Sequence, residues 1–256
     1  MPRISLLSSD LSVRDRTEPS GAASERTTGI AVCHSGAMPE LSRSGEVFVL
    51  HLGEGDLRFT PTSLAEIGSA LDAVESTDGP SALVTAASGK IWHNGLDLDH
   101  MATLGDRFLG YIAEVQELFA RLLTLRVPTV AAIQGHAFAG GAMLALCHDQ
   151  RVMRSDRGFL CLPEVDLGMP FSDGMAALIS SKLRQPLLHR MAVLGERIGG
   201  TEARTLGAVD SAVDSESAVL AEAMSRAAEL APKAKPTIAA LRRNLYGQAI
   251  DALLAI

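Results

Sequence analysis

The sequence predicts an α/β fold, and three observations carry that prediction. Beyond the unpatterned first 45 residues, strand–helix units come first and helices come last. Residues 128–145 (PTVAAIQGHAFAGGAMLA) run from a β-branched segment, 129–133, through Gly135 to Gly140 and Gly141, and on into an apolar segment, 142–147. That order reads as a buried strand, a glycine turn and a helix start. With 256 residues, 47% of them hydrophobic, the chain can bury one full-sized core, so one domain with small additions is expected.

Taken in order, residues 1–45 lack sustained periodicity and are read as an N-terminal arm, partly flexible, with 14–28 rich in Gly, Ser, Thr, Arg and Glu. Within the arm, 29–33 (GIAVC) suits a short edge strand. From Glu46 the pattern sharpens: Val47, Val49 and His51 alternate with Phe48, Leu50 and Leu52, as on a strand. Thr62 or Ser63 is placed to cap a helix reaching Glu75, because Leu64, Ile67, Leu71 and Val74 recur at three- and four-residue spacing. Residues 76–81 make a turn and 82–86 a buried strand, and Gly89 and Gly95 bracket a segment that opens a helix near Leu98. A strongly patterned helix, 111–125, stops before Pro128. Past the central strand–turn–helix come an extended edge at 148–152, a turn at 156–158, a short strand at 159–162 and a loop opened by Pro163 and Glu164. Helices are expected at 174–180 and 185–194, and a short one capped by Thr201 stops at Gly207. An extended piece at 209–213 precedes a long alanine-rich helix, 216–230, and a last helix, 237–254. The division is thus an arm (1–45), a core (46–195) and a helical C-terminal region (196–256).

Charge and composition narrow the function. The formal charge is −7, basic residues are scattered and aromatics make up 4%, which argues against nucleic acid as a partner. No run approaches 18 apolar residues, so no membrane span is expected. Cys33, Cys147 and Cys161 form no CxxC pair and no secretory apolar region opens the chain, which predicts a reduced, cytoplasmic setting. No His/Cys/Asp cluster has metal-ligand spacing, so no metal is expected.

A strand end followed by glycine and a helix start leaves backbone N–H groups unpaired, a setting that favours negative charge. Segments 94–98 (NGLDL) and 135–144 both have this form, and two convergent amides make an oxyanion hole. A third segment, 163–168 (PEVDLG), carries Glu164 among mostly apolar neighbours, where burial raises a carboxyl's proton affinity toward that of a general acid–base. By themselves, glycine turns simply let a chain bend, and a carboxylate after proline ordinarily faces solvent.

Four fragments, in order, make residues 46–250 resemble the enoyl-CoA hydratase/isomerase, or crotonase, superfamily. They are 90–101 (KIWHNGLDLDHM), 126–145 (RVPTVAAIQGHAFAGGAMLA) with its Asp149-Gln150-Arg151 continuation, 157–168 (RGFLCLPEVDLG) and 201–213. The resemblance implies a crotonase-like spiral of ββα units with a helical C-terminal region used in trimerisation, giving a homotrimer or dimer of trimers. It implies an acyl-CoA or enoyl-CoA substrate, with coenzyme A present as part of the thioester and no separate cofactor. Carried over by motif, the oxyanion-hole amides fall on Leu96 and Gly140, supported by Gly95, Gly135 and Gly141, and the catalytic carboxylate on Glu164.

The family's hydratases use two glutamates; here the position of the first is Met143, which accepts no proton at neutral pH. A lone base suits allylic isomerisation of a 3-enoyl thioester, and residues 163–168 resemble most the single-glutamate Δ3-Δ2-enoyl-CoA isomerases. Asp166 and His93 are candidate additional polar groups, Asp97 a helix cap and His136 structural. Arg58, Arg242 and Arg243 are candidates for the CoA phosphates, and Met143, Met101, Tyr111, Leu167 and Phe171 for the acyl pocket. An enoyl-CoA hydratase, an acyl-CoA thioester hydrolase and a non-catalytic acyl-CoA-binding protein are the competing readings.

Overall fold

The computed structural model describes residues 38–255, so the readings of 14–28 and 29–33, and Cys33 with them, lie outside the described residues. Strand β1 (Glu40–Ser44) falls within the range read as an arm and pairs antiparallel with β2 (Val47–Glu54). Its five residues include one large apolar side chain, Leu41, too little to register as a pattern. The alternation along β2 separates two buried faces instead of one buried and one wet. Phe48, Leu50 and Leu52 enter the main core, while Val47 and Val49 enter a second apolar cluster on the other side of the sheet. Helix α1 (Pro61–Glu75) is capped two residues before Thr62 and three before Ser63, the caps expected: Thr60 Oγ1 accepts the Ser63 amide at 3.0 Å, and Pro61 takes the first helical position.

Three turns of chain then repeat one pattern. Strands β3 (Ala82–Ser88) and β4 (Ile91–His93) precede α2 (Leu98–Thr103) and α3 (Phe108–Thr124). Strands β5 (Thr129–Ile133) and β6 (His136–Phe138) precede α4 (Gly140–Cys147). Strands β7 (Gln150–Arg154) and β8 (Phe159–Cys161) precede α5 (Glu164–Leu167), α6 (Asp173–Lys182) and α7 (Leu187–Ala192). The remainder is β9 (Ile198–Gly199), α8 (Gly200–Thr205), β10 (Ser211–Val213), α9 (Glu216–Leu230) and α10 (Pro236–Leu253).

The first strand of each pair joins a sheet ordered β1-β2-β3-β5-β7-β10, parallel from β2 onward. The second joins a smaller sheet, β4-β6-β8-β9, in which β4, β6 and β8 run parallel. Moving between sheets requires a sharp corner, and successive corners stack on one another. A Cβ on Gly135 would sit 2.2 Å from the Lys90 carbonyl oxygen, and one on Gly158 2.5 Å from the Gly135 oxygen. Only glycine permits that approach. On the far face of the large sheet, Val219, Ala223 and Ala227 of α9 lie against Val47, Val49, Val84, Val130 and Val152. Spacing of four residues puts one side of the helix on the sheet, and two alanines allow close approach. Helix α10 packs on α3 and α6. The result is an α/β architecture of repeated ββα units with a helical C-terminal region.

Candidate active site

Because β4, β6 and β8 are parallel neighbours, their C-terminal ends lie side by side, where open α/β sheets place their ligands. Each end emits one part of the site: Asn94-Gly95-Leu96 after β4, Ala139-Gly140 after β6, and Pro163-Glu164 after β8. The first two touch. Gly95 has φ +86°, and a Cβ there would lie 2.6 Å from the Gly140 nitrogen; a Cβ on Gly140 would lie 3.7 Å from the Leu96 nitrogen. Ala139 holds φ +51° and ψ −126°, a conformation costing ~1–3 kcal/mol that neighbouring structure must impose. Its amide donates to the Cys161 carbonyl at 3.0 Å, tying this turn to the strand that delivers Glu164. Gly140 opens α4, so its amide has no acceptor in its own helix. Among the described residues neither the Leu96 nor the Gly140 amide is matched to a backbone acceptor. Gly141 seats α4 against β4, since a Cβ there would be 2.1 Å from the His93 oxygen.

Glu164 begins the single turn of α5, which Gly168 closes at φ +65° by donating its amide to the Glu164 and Val165 carbonyls. Glu164 is 9% exposed, and its Oε2 is buried with no hydrogen-bond partner. Desolvation pushes its pKa up from 4.5 to about 7. A cavity of about 90 Å³ has Leu96, Gly140, Met143, Glu164, Leu167 and Phe171 in its wall. The structure therefore brings together both predicted amides, the predicted carboxylate and three of the predicted acyl-contact residues. Asn94, Ile112, Ser172 and Met175 also line it and were not read from the sequence. Helical period marks Ile112 and Met175 as inward-facing, but not which inward residue meets a void.

Residues 58–255 match the family model for enoyl-CoA hydratase/isomerase. The chain belongs to the enoyl-CoA hydratase/isomerase family. It is 39% identical over 222 residues to enoyl-CoA delta isomerase 2, peroxisomal, of Arabidopsis thaliana, covering 82% of this chain and 92% of that protein. Enoyl-CoA delta isomerase 3 of the same plant is 38% identical over 220 residues, with 82% and 92% covered. The crystal structure of a probable enoyl-CoA hydratase from Mycobacterium tuberculosis superposes with a TM-score of 0.78, covering 85% of this chain and 92% of that one. At 24% identity that likeness concerns the fold alone.

Several residues singled out in this enoyl-CoA hydratase/isomerase family chain stand elsewhere. His93 is buried, its Nδ1 accepts the Gly95 amide at 3.0 Å, and its ring lies 4.2 Å from that of Phe59. Burial pushes its pKa down to about 3, so it braces the Gly95 turn as a neutral ring and supplies no second titratable group. Asp166 is exposed and its carboxylate lies against Gly195, outside the cavity wall, because two residues along a helix put its side chain on nearly the opposite face from Glu164. Tyr111 does not line the cavity either: its hydroxyl donates to the Phe59 carbonyl at 2.6 Å and accepts the Asp97 amide at 2.8 Å. Met101 packs on the core without reaching the cavity. Asp97 does cap α2, accepting the His100 amide at 3.2 Å.

Among the arginines, Arg242 is buried and bonded to Asp149 and to the carbonyls of Leu125 and Val127, so it locks α10 to the core and is not available to a phosphate. Arg243 is exposed and pairs with Asp251. Arg58 is partly exposed and donates to Asp56 at 2.8 Å; Asp56 also accepts the side-chain amide of Asn94, linking Arg58 to the cavity rim.

Proposed function

We propose that this protein is an enoyl-CoA isomerase that moves the double bond of a 3-enoyl-CoA to the 2-trans position. The thioester oxygen accepts hydrogen bonds from the Leu96 and Gly140 amides. Glu164 takes a proton from C2, and the electrons of that C–H bond delocalise into a dienolate whose charge rests on the thioester oxygen. The carbonyl then re-forms, C2 and C3 become doubly bonded, and the same carboxyl returns its proton to C4. Oriented amides at the developing oxyanion each contribute ~3–4 kcal/mol to such a transition state.

The observation that carries this reading is a single buried carboxylate in the cavity wall, with Met143 in place of a second one. Hydration needs a group to activate water, and the wall is otherwise apolar apart from Asn94 and Ser172. The two Arabidopsis relatives, named enoyl-CoA delta isomerases, support the same choice. Arg58, at the rim, is the basic group we assign to the CoA phosphates. Helix α10 leaves Leu241 and Leu245 exposed, and Leu254 just past its end is exposed too, which supports a homotrimer or a dimer of trimers as the assembly; sedimentation measures it.

Offering 3-enoyl-CoA and 2-enoyl-CoA separately, and resolving isomer, 3-hydroxyacyl-CoA and free CoA by mass, tests the proposal. Double-bond migration is expected, falling ~10²-fold or more in Glu164→Gln. Dominant hydration that survives this substitution overturns the mechanism. Free CoA as the main product favours a hydrolase, and tight acyl-CoA binding without turnover favours a binding protein.

A further inference from the structure

Glu164 lies between two spaces. On one side is the cavity of about 90 Å³ that carries the Leu96 and Gly140 amides. On the other is a groove of about 340 Å³, in which neither of those residues takes part. The two share Glu164, Met169, Pro170 and Phe171, and the groove continues over Val165, Ala192 and Val193. Apart from Glu164 no charged side chain lines it. Val165 is 54% and Val193 52% exposed, so the groove presents apolar side chains to solvent.

Chain direction links these spaces, given the isomerase reading on which this inference rests. With the thioester oxygen at the amides and C2 to C4 at Glu164, each carbon beyond C4 moves away from the amides and past Glu164. We propose that the alkyl tail leaves the small cavity along Met169, Pro170 and Phe171 and lies in the groove of Val165, Ala192 and Val193. The enzyme then takes medium- and long-chain 3-enoyl thioesters in preference to short ones, and Ala192 and Val193 determine chain-length selectivity. Each methylene carried from water into an apolar groove strengthens binding by about twofold to fourfold, depending on how much of it is covered.

The test is kcat/KM across 3-hexenoyl-, 3-octenoyl-, 3-decenoyl- and 3-dodecenoyl-CoA, for the wild-type protein, Val193→Asp and Ala192→Phe. The ratio of 3-dodecenoyl to 3-hexenoyl turnover is expected to exceed one in the wild type and to fall tenfold or more in both variants. Val193 is exposed, so its substitution leaves the core intact; circular dichroism checks Ala192→Phe. A wild-type ratio at or below one, or variants that keep the wild-type ratio, overturns the proposal. So does a Val193→Asp protein whose sedimenting mass drops while its ratio stays, because the groove is then covered by a second copy of the chain. Calorimetric binding of saturated hexanoyl- to dodecanoyl-CoA separates this inference from the reaction it rests on. Affinity rising with length and lost in Val193→Asp upholds the groove even without isomerisation, and length-independent affinity sinks it even with isomerisation.

Discussion

Desolvation governs Glu164 in two ways, because the group we propose as the proton acceptor is also one the fold would prefer uncharged. With its pKa raised from 4.5 to about 7, the neutral carboxyl is the form favoured by the native state. The stability tied to it is fully present below about pH 4.5 and is lost as pH rises through 7. Glu164→Gln, neutral at every pH, is therefore expected to be more stable than the wild type at pH 8, by up to about 3 kcal/mol, with the difference vanishing near pH 4. Urea denaturation at the two pH values measures this; equal stability at both contradicts the burial. Arg242 makes the opposite point. Its Asp149 partner and two carbonyls are lost together in Arg242→Ala, and destabilisation of about 3 kcal/mol is expected, with KM for acyl-CoA unchanged in the folded fraction. A KM rise without destabilisation would return Arg242 to the phosphate role. Nothing in the residue types distinguishes Arg242 from Arg243, since charge is written in the sequence and burial is not.

Elements place the site through their ends. Thr60 and Pro61 start α1 next to the Phe59–Leu96 bridge, and Thr60→Ala removes one cap hydrogen bond. It should cost ~1 kcal/mol, read as a lowered Tm, with little change in turnover. Gly95→Ala should be worse on both counts. Its Cβ meets the Gly140 nitrogen at 2.6 Å, and φ +86° is unfavourable to alanine, so destabilisation of ~1–3 kcal/mol should accompany loss of isomerisation as the two amides separate. Full activity in that variant would detach the touching turns from the chemistry. The longer elements were legible: β5 and α9 begin and end where the apolar run and the alanine-rich period do. In the small sheet β8 was read, at 159–162, but β4, β6 and β9 were not, because they have two or three residues, fewer than an alternating pattern needs. The single turn of α5 escapes a 3.6-residue period for the same reason, so Glu164 was read as lying in a loop.

At the scale of the molecule, the spiral of ββα units lines up three parallel strand ends, and the site needs all three. What sequence supplies there is the order of the fragments and the glycines that let corners and turns touch. What it withholds is the shape of the space between them, which depends on α3 and α6 closing over the strand ends. Hence Ile112 and Met175 are recognisable as cavity residues only in the folded structure. That enclosure dries the Glu164 carboxyl and raises its pKa toward neutrality, as the proposed role requires. The most direct measurement is kcat/KM for 3-enoyl-CoA isomerisation as a function of pH, which reports ionisation in the free enzyme. The base is active when ionised, so the rate should climb about tenfold per pH unit from pH 5 and level off near 7, matching the raised pKa of Glu164. A profile already flat from pH 5 to 8, as an ordinary solvated carboxylate would give, contradicts a buried, desolvated Glu164 as the proton shuttle.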